Sequence, residues 1–365
     1  MRTRSGKVKL RRPADGGARA YDPGMLRYRT ALLAVCLLAS SAAPALDPGK
    51  RLSQYGLDVW QEGDGLPQNT VQAVLRGRDG YLWLGTQEGL VRFDGARFTT
   101  YDRRNTPELK HNSVISLAEG PDGTIWAGTN GGGVLCRSRD GTFSAIGTAE
   151  GLAGGIVWSI AFDRAGDAWV AGDGIGAQRV VDGRGAERIG RAQGLPLEQV
   201  RAIAFDADGA LWVGTTGAGA AVVKGGRVTK VWDAATLGTG LVRGLAPDAG
   251  GGVWVATSGG GLTYLKGDAV VRYREADGFP ADQVSAVHVD AGGTLWFGTW
   301  GAGVGRLRNG VPEVIGTREG LSNDQVWSLT SDEEGSVWIG TWVGGLNRLR
   351  DGLFLTYTTR EGLTS

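Results

Sequence analysis

The chain has 365 residues and is nearly neutral, with 39 Lys and Arg residues against 38 Asp and Glu residues. This balance does not indicate the excess of positive charge that binds nucleic acid or an anionic membrane surface, so we expect no nucleic-acid partner. The 64 glycines and only 11 prolines are typical of a chain rich in tight turns rather than of a disordered linker protein.

The first segment in chain order has the pattern of a secretory signal. Arg27, Tyr28 and Arg29 precede an apolar stretch at 31–45, which ends in Ala-Pro-Ala, a small-x-small cleavage pattern. A stretch of this length is too short to span a bilayer comfortably. We therefore predict a signal peptide over residues 1–45, with Met25 as an alternative start, and a mature protein that is periplasmic or secreted.

Seven tryptophans then recur at intervals of 42 or 43 residues. They are Trp83, Trp126, Trp169, Trp212, Trp254, Trp296 and Trp338. Each lies in a similar phrase, such as LWLGT at 82–86, with a glycine three residues earlier and, in five repeats, an aspartate six residues earlier. An Asp that accepts backbone N–H groups, followed by a glycine able to take positive φ, is typical of a hairpin turn. Gly or Ala two residues after each tryptophan leaves room for a ring, which predicts that this column packs between neighbouring sheets.

Other strands complete the repeat. An apolar run such as VQAVL (71–75) precedes each turn, and two short strands separated by a tight turn follow each tryptophan phrase. Four strands in a repeat of this length, present seven times, predict an all-β fold. Over residues 46–359 we predict a seven-bladed β-propeller with four antiparallel strands per blade.

The two ends of the repeat array leave one strand in excess. Residues 55–61 and residues 353–359 both have the pattern of a fourth, outermost strand. An N-terminal strand commonly closes a propeller by completing its last blade, but the sequence does not decide which strand does so. Residues 360–365 repeat the phrase that opens other blades, so we expect an eighth repeat to begin there in a longer protein.

The segment GLPQNTVQAVLRGRDGYLWLGTQEGLVRFDG (65–95) resembles the two-component regulator propeller repeat of bacteria, and the likeness extends over about residues 55–365. The resemblance implies the extracytoplasmic sensor of a membrane histidine kinase, hybrid two-component protein or diguanylate cyclase. In that family a transmembrane helix and an output domain follow the propellers. It therefore implies that the full-length form is anchored in the inner membrane only through such downstream segments.

The loop entering each inner strand and the loop after each tryptophan phrase are expected to meet at one mouth of the disc. Several mouth residues suit a small polar ligand such as a carbohydrate, through ring stacking and hydrogen bonds. The predicted ligand-binding residues are Trp158, Arg201, Trp300, Trp327, Trp342, Asn130, His111, Asn323 and Gln325. For Trp158 and Trp327, packing between blades is the alternative.

We predict no catalytic residue, no metal site and no cofactor. The chain has two histidines, His111 and His288, and His288 is expected to be a hydrogen-bonded wall residue. A stand-alone secreted binding or scaffold propeller is the second functional hypothesis, and a propeller dimer is left open. A lyase-like or glycosidase-like enzyme is the third, since carboxylates at the mouth could form a catalytic pair. Those carboxylates are Glu88, Glu198, Asp282 and Asp324.

Overall fold

The computed structural model describes residue 46 and residues 49–352. The predicted signal peptide, the strand predicted at 353–359 and the eighth repeat expected at 360–365 lie outside the described residues. The described part of the chain forms seven four-stranded antiparallel sheets. The predicted fold class, an all-β seven-bladed propeller, is confirmed.

Each blade begins with an inner strand beside the central axis. These strands are β2 (Val71–Arg76), β6 (Val114–Glu119), β10 (Ser159–Phe162), β14 (Val200–Phe205), β18 (Val242–Pro247), β22 (Val284–Val289) and β26 (Val326–Ser331). Each inner strand contacts the inner strands of both neighbouring blades, and the ring closes between β26 and β2.

The second strands carry the tryptophan phrase and are almost wholly buried. They are β3 (Leu82–Thr86), β7 (Ile125–Thr129), β11 (Ala168–Gly172), β15 (Leu211–Thr215), β19 (Val253–Thr257), β23 (Leu295–Thr299) and β27 (Val337–Thr341). The third strands are β4 (Gly89–Phe93), β8 (Val134–Arg137), β12 (Gly176–Val181), β16 (Ala220–Lys224), β20 (Leu262–Lys266), β24 (Val304–Arg308) and β28 (Leu346–Arg350).

The fourth strands form the outer rim. They are β5 (Phe98–Tyr101), β9 (Phe143–Ile146), β13 (Arg184–Ile189), β17 (Arg227–Trp232), β21 (Ala269–Tyr273), β25 (Val311–Ile315) and, for the seventh blade, β1 (Gly56–Trp60). The connections carry short helical turns at Leu52–Gln54, Glu62–Asp64, Thr148–Glu150, Arg191–Gln193, Ala234–Leu237, Glu275–Asp277 and Thr317–Glu319. None of the described helices is long and apolar enough to cross a membrane.

The seventh blade is completed by the N-terminal strand. β1 pairs antiparallel with β28, with Gly56 opposite Arg350 and Trp60 opposite Leu346. The carboxylate of Asp58 on β1 accepts hydrogen bonds from Arg348 at 2.7 Å and from Arg350 at 2.7 Å. Of the two strands that the sequence offered for closure, residues 56–60 therefore occupy the outer position of this blade.

The tryptophan column packs between blades, as predicted. Trp83 of the first blade lies in a buried cluster with Val114 and Ile125 of the second. Trp296 of the sixth blade lies in a cluster with Val326 and Val337 of the seventh. Trp126 and Trp254 are only partly buried, but each packs against the cluster of the following blade.

The turn aspartate has a second role beyond the predicted capping of the turn. Asp206 accepts hydrogen bonds from the backbone N–H groups of Asp208 and Ala210, and its other oxygen accepts the indole N–H of Trp212 at 2.8 Å. The same indole bond joins an aspartate to Trp83, Trp169, Trp296 and Trp338, at 2.7–3.2 Å. One carboxylate thus fixes the turn and satisfies the polar atom of the ring buried between blades.

Replacing Asp206 with Ala removes the acceptor for two backbone N–H groups and one indole N–H. Since partly buried donors without an acceptor are costly, we expect the free energy of unfolding to fall by about 2–3 kcal/mol, measured by urea denaturation. Asp268→Ala is the matched control, because that carboxylate is fully exposed and pairs with Lys230 at the surface. Its effect should be much smaller, because an ion pair between exposed side chains contributes little to stability. Equal effects of both changes would contradict the role of the Asp206 bonds.

Asp58 makes the closure of the ring sensitive to acid. Burial acts to raise the pKa of Asp58, but hydrogen bonds and charge from Arg350 and Arg348 outweigh it and hold the pKa below its usual range. A lowered folded-state pKa stabilises the protein above the unfolded pKa of about 3.9, and this stability is lost as the pH falls through the folded value.

We expect Asp58→Asn to lower the free energy of unfolding by about 1 kcal/mol near neutral pH. The difference from the unchanged protein should shrink below about pH 4, where Asp58 is first protonated in the unfolded chain, and should vanish below the lowered pKa of the folded state. Urea denaturation at pH 7 and at decreasing pH measures both. A difference that stays constant into acid would show that the carboxylate charge does not stabilise the closure.

Candidate functional site

The second residue of six inner strands borders the central channel, and in the third blade the residue just before β10 does so. We call these seven residues the inner ring: Gln72, Ile115, Trp158, Arg201, Arg243, Ser285 and Trp327. In six blades the pairing with the second strand shifts register across this residue, and in the third blade the paired strand begins immediately after it. Because a bulge takes a residue out of the regular ladder and re-aims its side chain, these positions are free to vary within otherwise uniform blades.

The residue after each tryptophan phrase forms a second ring at the same end of the disc. We call this the outer ring: Gln87, Asn130, Asp173, Thr216, Ser258, Trp300 and Trp342. The backbone N–H of Trp300 donates to the carbonyl of Gln283, and that of Trp342 donates to the carbonyl of Gln325, both at 2.9 Å. Isolated bridges such as Trp300 with Gln325 link one blade to the next. The two loops do meet at one mouth, and their backbones are tied together there.

Three tryptophans form one cluster on the sixth and seventh blades. The ring centroids of Trp327 and Trp342 are 5.2 Å apart at an interplanar angle of 20°, a stacked pair. Trp300 lies 5.2 Å from Trp327 and 5.9 Å from Trp342. Trp300 remains 38% exposed, whereas the neighbouring column residue Trp296 is 1% exposed. The cluster thus presents an open aromatic surface at the mouth.

A second pair occupies the third and fourth blades. The guanidinium carbon of Arg201 lies 3.6 Å from the ring centroid of Trp158, a close cation–π contact. The indole N–H of Trp158 donates to Asp173 at 3.2 Å. Burial and then the charge of Arg243 lower the pKa of Arg201 to about 10, with Asp173 acting in the opposite direction. Arg201 therefore stays cationic at neutral pH.

The two groups of side chains meet in a cavity of about 260 Å³. It is lined by Arg201, Arg243, Ser258, Gln283, Val284, Ser285, Trp300 and Trp327. Below it, the inner strands of all seven blades line a channel of about 270 Å³ that includes Trp158. Of the predicted ligand-binding residues, Arg201, Trp300 and Trp327 line the cavity, Trp158 lines the channel, and Trp342 joins the aromatic cluster.

Sequence reasoning missed four polar lining residues: Arg243, Ser258, Gln283 and Ser285. A signal for the arginine was present, because Arg243 has the same place in its repeat as Arg201. Ser258 likewise has the outer-ring position of Trp300. Comparison of equivalent positions between repeats would have found both.

Two predicted site residues have local structural roles. The Nδ1 of His111 accepts the backbone N–H of Ser113 at 3.1 Å, and Asn323 accepts the backbone N–H of Gln325 at 2.8 Å. Such bonds to a residue two positions on shape the loop that enters the inner strand. Asn130, His111, Asn323 and Gln325 line neither the cavity nor the channel. Their predicted contact with a ligand stays a prediction.

Three of the four mouth carboxylates are occupied in a similar way. Glu198, Asp282 and Asp324 each accept the backbone N–H of the residue seven positions earlier, where a short helical turn begins. The bond from Arg191, followed by Arg188, lowers the pKa of Glu198 against the effect of burial. A general acid needs the opposite shift, so this carboxylate is poorly suited to act as the general acid of glycoside hydrolysis.

His288 is a wall residue, as its strand position suggested. Its Nε2 lies 2.8 Å from the hydroxyl of Ser331 on the next inner strand. Burial lowers the pKa of His288, opposed by the charge of Asp290, which favours the neutral imidazole at neutral pH. Among residues 46 and 49–352, no three His, Cys, Asp or Glu side chains group in a way that could hold a metal ion.

Five segments of the chain match the family described as two component regulator propeller. They are residues 65–88, 108–131, 194–217, 278–301 and 320–343. Each matched segment runs from the loop before an inner strand through the tryptophan phrase and includes both ring positions of its blade. No curated protein matches the sequence significantly.

Solved structures share the fold at low sequence identity. The extracellular domain of the hybrid two component system BT3049 from B. thetaiotaomicron is 23% identical, with a TM-score of 0.71 over 82% of this chain and 42% of that one. The extracellular domain of BT4673 from the same organism is 18% identical, with a TM-score of 0.69 over 84% of this chain and 44% of that one.

A virginiamycin B lyase from Staphylococcus aureus, solved with quinupristin, also shares the fold. It is 18% identical, with a TM-score of 0.65 over 81% of this chain and 99% of that one. The chain thus spans less than half the length of the two extracellular domains and nearly all of the lyase. The sheet topology identifies the chain as a seven-bladed propeller, and five of its blades contain repeats that match the two component regulator propeller family.

Proposed function

We propose that the chain is the ligand-sensing propeller of a membrane signal-transduction protein, of the two-component histidine kinase or diguanylate cyclase type. It would act in the periplasm or outside the cell. The repeat family and the fold shared with extracellular domains of hybrid two-component systems support this proposal. Kinase or cyclase activity would belong to segments other than the propeller.

The observation that carries the proposal is the open tryptophan cluster beside a polar cavity. A tryptophan needed only for packing would be buried, as five of the seven column residues are, yet Trp300 is exposed and contacts two further rings. Flat aromatic surfaces next to amide, hydroxyl and guanidinium groups suit the apolar face and the hydroxyls of a sugar ring. We therefore take a small carbohydrate-like molecule as the ligand.

The position of the cavity suggests how a ligand would act on the propeller. Its lining comes from blades four to seven, so a bound molecule would contact four separate sheets. A ligand that binds one arrangement of these four blades more tightly than another shifts the population toward the first arrangement. Only such a difference in affinity between the two arrangements can carry a signal. The bridges at the mouth provide the direct connection between adjacent blades.

We propose further that the propeller itself is not an enzyme. Three mouth carboxylates are engaged by backbone N–H groups, and both histidines hold hydrogen bonds within the fold. The likeness to virginiamycin B lyase is one of fold. A stand-alone secreted binding propeller would use the same cavity and differs from the sensor only in what it is connected to.

Trp300→Ala and Trp342→Ala test the binding site. Each is expected to weaken binding of a responding disaccharide by about tenfold or more, because a stacking surface is lost, while the melting temperature changes little. Intrinsic tryptophan fluorescence, titrated with cellobiose, lactose and digalacturonate, measures binding. Differential scanning calorimetry measures stability.

The matched control is Trp296→Ala, four residues from Trp300 in the buried column. This change should cost about 3–5 kcal/mol of folding stability, because it leaves a cavity between two blades. A large fall in melting temperature for Trp300→Ala, similar to that of the control, would assign Trp300 to the core. Unchanged disaccharide affinity in both loop variants would contradict the proposed site.

Incubation of the purified chain with quinupristin tests the enzyme hypothesis. We expect liquid chromatography to recover the antibiotic unchanged after prolonged incubation. A new product whose formation is lost in His111→Ala or in His288→Ala would instead support a lyase.

A further inference from the structure

Two arginines stand in adjacent blades at the edge of the cavity. Arg201 and Arg243 hold the same inner-ring position in blades four and five, and both line the cavity with Trp300 and Trp327. Their charges act on each other, since Arg243 lowers the pKa of Arg201. Within the described residues neither guanidinium has a carboxylate oxygen within 4.0 Å. The cavity is therefore positively charged without a paired anion of its own.

The carboxylate that acts on Arg201 is already engaged elsewhere. Asp173 favours the charged form of Arg201 from a distance, but its carboxylate is exposed and accepts the indole N–H of Trp158. Two like charges beside one cavity destabilise each other, and a bound anion would compensate both. Arg201 is also held in place by its contact with Trp158 at 3.6 Å, so part of the entropy cost of binding is removed in advance.

We infer that Arg201 and Arg243 form a subsite for the anionic group of the ligand, and that this ligand is an acidic saccharide bearing a carboxylate or sulfate. The inference rests on the proposed sensor function and names the chemical class of its ligand. Guanidinium groups match the geometry of both anions through paired N–H donors. Trp300 and Trp327 would take the apolar face of the sugar ring.

The remaining lining favours a saccharide over a simple aromatic acid. The hydroxyl of Ser258 donates to the amide oxygen of Gln283 at 2.6 Å. Among the described residues the amide N–H groups of Gln283 have no acceptor, so they are available to a ligand hydroxyl. The hydroxyl of Ser285 also lines the wall, but it already donates to the backbone carbonyl of Val326. An aromatic acid would leave the amide N–H groups of Gln283 unpaired on binding, which costs free energy.

The test compares matched probes on the full chain by isothermal titration calorimetry. The probes are digalacturonate, the neutral disaccharide cellobiose, indole-3-acetate and inorganic sulfate. We expect digalacturonate to bind about tenfold or more tightly than cellobiose, and Arg243→Gln to remove this preference. Arg243→Lys should restore part of it, since the charge is kept. Raising the salt concentration should weaken digalacturonate binding, because the contact is electrostatic.

The control variant is Arg227→Gln, which makes the same charge change on the fourth strand of blade four, away from the cavity. It should leave the preference for digalacturonate intact. If Arg243→Gln lowers the melting temperature, the anion subsite is tested instead by comparing the preference for digalacturonate in the unchanged protein and in Arg243→Lys. The salt dependence of digalacturonate binding then provides the second test.

Each result has a definite meaning. Equal binding of digalacturonate and cellobiose that still depends on Trp300 would overturn the anion subsite and leave the proposed sensor function standing. Tighter binding of indole-3-acetate or of sulfate alone would overturn the assignment to a saccharide. No binding of any probe would overturn both the subsite and the ligand class of the proposed function.

Discussion

The fold depends on the tryptophan that each blade inserts against the next. Its ring fills the space between two sheets. In five repeats its indole N–H donates a hydrogen bond to the aspartate that also shapes the turn before it. A polar atom is thereby satisfied at the edge of an apolar interface. Since the same unit recurs around the ring, the angle between blades is set by one repeated contact, and the inner strands are brought side by side.

This repetition explains why the fold was predictable and why part of the site was not. The spacing of Trp83 and its six counterparts reflects packing, which acts on every repeat alike. The cavity depends on the positions where repeats differ, and a single arginine such as Arg243 has no pattern of its own. The closing strand was undecidable from sequence, because residues 55–61 and 353–359 carry the same pattern and pairing depends on which end meets β28.

Local hydrogen bonding explains why some residues that the sequence predicted for the site do not line the cavity. His111 and Asn323 were selected as polar loop residues, yet short polar side chains in such loops readily bond the backbone two residues on. The tryptophans outside the column were predicted to gather at the mouth, and the structure brings three of them together. Large aromatic rings form few hydrogen bonds with the local backbone. Their position in the repeat therefore predicted their location at the mouth better than the position of the polar residues did.

The seventh blade joins the two ends of the described chain and also carries Trp327 and Trp342 of the aromatic cluster. The same blade therefore contributes both to closure of the ring and to the mouth, since Trp327 lies on β26 and Trp342 directly follows β27. A molecule bound at the proposed site would contact the seventh blade through Trp327 and would favour the arrangement in which the ring is closed. By mass action, loosening of the β1 pairing would then weaken binding at the proposed site, and a bound ligand would in turn oppose opening of the ring.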